Sequence, residues 1–332
     1  MVKGVNIKDR YKIVPQMEFY DKISCEYKPF IMFFNVPNFK SKIVNTDNLG
    51  FRLNFFNNEI KKISDFYNKQ KVTIVIGGSS VFGFGSSSDQ KTISSNLSRK
   101  KNNIFINFGA TAFNSKQEIL LFLNFFQKFN NIEKVIIISG ANDLYINLIN
   151  NNDDEWGNFF FKEKYQKIFE KYKKRNQIIL KIKNSYFKIF NKRNYNITKK
   201  INFKQLENNY IESFSLWSSI SRSFNFKVHF FLQPIASWTR KKLTRDEKDL
   251  FYILDNSDDF AHLTLKETSK YENYVKFSTL LKNLANLYQI NFIDLNEQIN
   301  KSNNLNNSFF VDRVHMNDLG YDEISEIILN YI

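Results

Sequence analysis

Val72-Thr-Ile-Val-Ile-Gly-Gly-Ser-Ser-Val-Phe-Gly83 is the stretch whose reading decides the fold. Its first five residues are an unbroken β-branched run, closed by a glycine pair. Such a short apolar run reads as a strand buried on both faces. Two more runs follow: Ile104-Phe-Ile106, ending at Asn107-Phe-Gly109, and Val135-Ile-Ile-Ile138, ending at Ser139-Gly-Ala-Asn-Asp143. Helical spacing separates them. Ile93, Asn96 and Leu97 form one stretch. Ile119, Leu120, Leu123, Phe126 and Phe129 form the next, opened by the capping-box pattern Ser115-Lys-Gln-Glu118. Strands alternating with helices predict a parallel sheet. Lys227-Val-His-Phe-Phe-Leu232 and Ile290-Asn-Phe-Ile293 supply a fourth and a fifth strand. Helices are expected through Tyr210, Phe214, Trp217 and Ile220, through Tyr274, Phe277, Leu280, Leu281 and Leu284, and from Asn317 to Leu329.

Outside this rhythm lie two segments. Residues 1–70 are aromatic and irregular, and read as an arm packed on the core. Within them Phe30–Val36 suggests a short buried strand, Asp47–Arg52 a turn into an extended segment, and Phe55–Tyr67 a loose helical spacing. Residues 151–210 are highly charged and read as a helical basic insertion, a cap or lid, with Tyr165, Ile168, Phe169 and Tyr172 beginning its apolar stripe. The expected core is therefore 71–150 together with 211–332.

Composition narrows the function. The chain has 332 residues; its one cysteine excludes an internal disulfide and a cysteine-rich zinc cluster, and its three histidines leave little for a multi-histidine metal site. No cofactor motif is found: the glycines from Gly77 to Gly85 lack the Lys-Ser/Thr pair of a phosphate loop. No apolar run is long enough to span a bilayer, and the first ten residues carry no signal-peptide core, so a cytoplasmic protein is expected. The net charge of +15 raises two readings, an anionic partner or a compositional bias toward Lys, Asn, Ile and Phe. The basic residues are widely spread, and nucleic-acid binding is not favoured.

In open parallel sheets ligands bind beyond the carboxyl ends of the strands. Collected there are Ser79, Gly109, Asn142, Gln233 and, past the fifth strand, Asp312-Arg-Val-His315. This set suits acyl transfer. Serine needs a base to become a nucleophile, and His315 is that base. Asp312, three residues earlier, reaches back within a turn to fix its tautomer. The N–H groups of Ser79 and Gly109 and the side-chain amide of Asn142 are candidate oxyanion donors. His229, inside an apolar strand, reads as a core histidine. Asn317 reads as a helix cap, and Cys25 lies outside any nucleophile motif.

The same residues resemble the SGNH/GDSL hydrolases, a family of serine esterases and lipases that includes carbohydrate esterases. The first block is Gly77-Gly-Ser79-Ser-Val-Phe-Gly83, the second-block glycine is Gly109, the third block is Gly140-Ala-Asn142-Asp143, and the last is Asp312-Arg-Val-His315. The lead-in Asn45-Thr-Asp-Asn-Leu-Gly-Phe-Arg52 is also similar. The resemblance covers about residues 45–150 and 225–332. It departs from the family at Gly78, where an aspartate normally precedes the serine, and the glycine four residues on selects Ser79 over Ser80. It implies an α/β fold, a three-layer α/β/α sandwich with a five-stranded parallel sheet of flavodoxin-like type. It implies ester hydrolysis through an acyl-enzyme, with a small acyl group on a sugar or glycan as the expected substrate. An O-acyltransferase using the same residues is one alternative. A non-catalytic binding module for acidic glycan or nucleic acid is another.

Overall fold

Alternation along the strands sorts the buried side chains into two apolar clusters, one on each face of a single sheet. The computed structural model describes residues 5–69, 71–149, 159–160, 200–257 and 260–332, leaving out the side chains of 260–263. The sheet has the order β6-β5-β7-β8-β9, all parallel, from β5 (Val72–Gly77), β6 (Phe105–Gly109), β7 (Ile132–Ser139), β8 (Lys227–Leu232) and β9 (Asn291–Asp294). Counted from β5, this is the flavodoxin-like order 2-1-3-4-5. Ile74, Ile76, Phe108, Ile137 and Phe230 pack with the helices Ser115–Phe125, Phe203–Phe224 and Tyr271–Leu287. Val75, Ile136, Ile138 and Phe231 point the other way, toward Ile93–Lys101 and Asp318–Leu329. The three-layer α/β/α sandwich expected from sequence is the observed one.

Several local expectations change. The box expected at Ser115–Glu118 sits one residue earlier: Asn114 caps the helix and pairs with Gln117. Ser115 and Glu118 are turned inward instead, to Asp143 and Ser139. Phe55–Tyr67 is not a helix. It is a hairpin of β3 (Asn54–Phe56) and β4 (Glu59–Lys61), followed by a 3-10 turn at Ile63–Phe66. Asn57 and Asn58 both hold positive φ, the requirement of a two-residue type I′ turn. The strand expected near Phe30–Val36 is present as β2 (Met32–Asn35), paired with β1 (Cys25–Lys28). The helix Phe203–Phe224 runs across the boundary expected at residue 210. The stripe expected from Tyr165 to Tyr172 lies outside the described residues. Asn317 caps the final helix through Gly320 N. Among the described residues, no helix is long and apolar enough to cross a membrane.

His229 on β8 is buried, and neither ring nitrogen has a hydrogen-bond partner among the described residues. Burial, with Lys134 and Lys227 nearby, lowers its pKa from 6.5 to about 4. Between these values the unfolded chain binds a proton that the folded chain does not, so this contribution to stability is complete above the unfolded value and is lost as pH falls toward the folded one. We expect thermal unfolding scans of the wild type to lose melting temperature faster than His229→Leu over that acid range. Parallel curves for the two proteins would contradict the reading.

Candidate functional site

β5 ends at Gly77 and the chain turns at once into the four-residue helix Ser79–Phe82. Ser79 is its first residue, so its N–H has no carbonyl one turn earlier to bond. Its carbonyl accepts from Gly83 N and Phe84 N, which closes the turn. Ser79 Oγ lies 2.6 Å from His315 Nε2. His315 Nδ1 lies 2.7 Å from Asp312 Oδ2. The other carboxylate oxygen, Asp312 Oδ1, accepts from the backbone N–H of Val314 at 2.9 Å and of His315 at 2.8 Å. Asp312 is thus held on both oxygens by the turn it belongs to. It is buried, while Ser79 and His315 remain partly exposed. The Phe84 ring lies 4.7 Å, centroid to centroid, from the His315 ring and restricts its tilt.

The neighbouring serine is placed differently. Ser80 is buried, its hydroxyl donates to Val314 O and accepts from Gln233 Nε2. Of the two serines only Ser79 meets the imidazole. Asn142, the second residue of the helix Ala141–Ile149, comes in from the end of β7. One of its amide hydrogens goes to Phe113 O at 2.7 Å, which leaves the second free. A Cβ built on Gly78 would lie 2.6 Å from Asn142 Nδ2. The glycine that departs from the family pattern is therefore what lets this amide sit against the serine turn.

Gly109 does not occupy the place expected of it. Its N–H donates to the side chain of Asn107, two residues back on β6, at 2.8 Å. It lies beneath the serine helix, where an added Cβ would stand 1.9 Å from Phe82 N. Its role is close packing, and its N–H is already used. The turn that follows β6 carries a residue that sequence reasoning missed. Ala112 holds φ of 62°, a conformation uncommon outside glycine. Its N–H has no acceptor among the described residues, and Asn142 binds the carbonyl of the next residue. An alanine gives no signal of such a backbone in sequence.

Two supports surround the site. Arg52 is fully buried and bonds through all three of its nitrogens: Nε to Asp89 Oδ1, Nη1 to Tyr20 Oη, Phe82 O and Gly83 O, and Nη2 to Ile43 O. It thereby receives the last carbonyls of the serine helix. On the opposite face Asp143, next to Asn142, accepts from Ser115 Oγ, Ser115 N and Tyr210 Oη. Burial pushes its carboxyl above the usual carboxylate range. Glu118, bonded by Ser139, is pushed well above it by burial and by the charge of Asp143.

No family model and no curated protein match this chain. Among solved structures it is similar to the acetyl xylan esterase AlAXEase, at 12% identity over 79% of this chain and 99% of that one, with a TM-score of 0.42. It is also similar to a member of the lipolytic G-D-S-L family from Veillonella parvula, at 13% identity over 79% and 98% with a TM-score of 0.43. For a lipase/acylhydrolase from Enterococcus faecalis the values are 11%, 79% and 94%, with a TM-score of 0.41.

The packing at Gly109 is directly testable. A methyl group there must displace the backbone of the serine helix, and overpacking of this kind costs about 3 kcal/mol. Gly109→Ala should lower the urea midpoint accordingly and displace Ser79. An unchanged midpoint would show that the helix has room to move.

Proposed function

We propose that the protein is a serine ester hydrolase of the SGNH/GDSL type. The observation that carries this reading is the unbroken chain of short contacts from Ser79 Oγ through His315 to Asp312. Ser79 Oγ gives its proton to His315 Nε2 and attacks the ester carbonyl. The carbonyl π bond opens and the oxygen takes the negative charge. Collapse of this intermediate expels the alcohol, which takes its proton from His315, and leaves an acyl group on Ser79. Water then repeats the sequence: His315 takes its proton, the hydroxide equivalent attacks, and Ser79 leaves with the proton returned. Asp312 holds Nδ1–H throughout and stabilises the imidazolium.

Three donors are assigned to the oxyanion: the N–H of Ser79, the free amide hydrogen of Asn142 and the N–H of Ala112. The last takes the role first given to Gly109. These donors need no rearrangement as charge develops, which is where such groups contribute most. Partial exposure of Ser79 and His315 supports hydrolysis, since water must reach the acyl group. The block resemblance favours a small acyl group carried on a sugar or glycan as the substrate, and a location in the cytoplasm remains part of the proposal. Residues 151–210 are proposed to shape substrate range, because none of the assigned groups falls within them.

A fluorophosphonate probe should label the protein once, on Ser79, and hydrolysis of p-nitrophenyl acetate should disappear in Ser79→Ala. Peptide mapping of the label to Ser80, or no label on folded protein, would overturn the assignment. Asn142→Ala should lower kcat by about 10²–10³-fold with a smaller change in KM, as loss of one oxyanion donor does. An unchanged kcat would remove Asn142 from the oxyanion site.

A further inference from the structure

Ser79 and His315 are joined by a bond that each turnover must break. Once Ser79 Oγ carries the acyl group it no longer donates to the imidazole, yet His315 must stay in place to deliver and accept protons. Something other than the catalytic contact has to hold it.

The neighbours of both residues make that connection. Ser80 Oγ donates to Val314 O at 3.1 Å, directly beside the Ser79–His315 contact. Gln233 Nε2 donates to the same carbonyl at 3.0 Å and to Ser80 Oγ at 2.7 Å. Gln233 is itself fixed at the end of β8: its N–H donates to Ser139 O on β7, and its carbonyl accepts from Asn296 Nδ2. Both side chains are buried. The amide on the other side of Val314 donates to Asp312 Oδ1. Val314 is thus pinned at its N–H by the aspartate and at its C=O by the sheet and the serine helix.

We propose that Gln233 and Ser80 are positioning residues for the reaction, forming a permanent bridge that keeps the His315 turn at fixed reach of Ser79 while the catalytic bond opens and closes. This rests on the ester-hydrolase reading for its kinetic part. The bridge involves no atom that changes bonding during the reaction, so it survives the acyl-enzyme. Leaving a buried carbonyl short of donors is costly, and Val314 O cannot relax without moving the adjoining His315 peptide.

The test uses Gln233→Leu, Ser80→Ala and the double variant in the whole chain. Displacing a reacting group by about 1 Å costs about 10²-fold. Each single variant should lower kcat/KM for p-nitrophenyl acetate, and the rate of fluorophosphonate labelling, by up to that factor with KM changed far less. Each single variant leaves Val314 O one of its two side-chain donors, so the double variant should lose more than the worse single one. In 15N-histidine NMR spectra of the resting protein, the His315 Nε2 signal should shift or broaden in the variants while circular dichroism stays native. Where Gln233→Leu fails to fold, Ser80→Ala alone decides through the same readouts. Native rates and an unmoved His315 signal would overturn the bridge. So would losses that merely track the unfolded fraction. A wild type that neither hydrolyses esters nor takes the probe would overturn the functional reading instead, and the NMR comparison would still decide whether the bridge holds His315.

Discussion

The buried guanidinium of Arg52 is the interaction on which the site is built. A charge without solvent must be paired and hydrogen-bonded, and removing one partner of a buried ion pair costs about 3–5 kcal/mol. Here the requirement is met by drawing together parts of the chain that otherwise have no reason to meet. The Asp89 carboxylate, the Tyr20 hydroxyl, the Ile43 carbonyl and the end of the serine helix converge on one side chain. Because the guanidinium is planar and rigid, it fixes angles as well as distances. The N-terminal segment thereby becomes part of the support for Ser79. A second fully buried pair, Lys241–Glu247, does similar work beneath the His315 turn. Glu247 also accepts from the N–H groups of Phe309 and Phe310, just before Asp312.

The sheet and the place of Ser79 at its carboxyl end were legible for the same reason. β-branched runs ending in small residues state both where a strand lies and where its loop begins. Val72–Ile76 followed by Gly77-Gly78-Ser79 carried both messages. Asp312 and His315, three residues apart, were readable because a single turn suffices to join them. The helix Arg245–Asp255 is opened by the capping box of Thr244 and Glu247, a pattern equally present in the sequence.

What escaped sequence reasoning depended on competition between partners. The apolar spacing of Phe55 to Tyr67 suits a helix as well as a hairpin, and only the backbone of Asn57-Asn58 decides. Gly109 could be assigned a free N–H until the side chain of Asn107 was seen to occupy it. Ser115 and Glu118 had the right types and spacing for a cap, but the buried polar groups across the helix claimed them. The bridge from Gln233 to Ser80 joins residues 153 positions apart and has no local trace.

The separation of Ser79 from His315 by 236 residues has a consequence during synthesis. Translation proceeds at about 5–20 residues per second, so roughly 10–50 s pass between addition of the serine and addition of the histidine it meets. Throughout that interval the nascent chain carries Ser79 without its imidazole partner. Under the proposed reaction, reactivity arises only when the 312–315 turn docks against the finished sheet. On that reading activation is an act of assembly, in which order of emergence does what a removable pro-segment does in secreted zymogens.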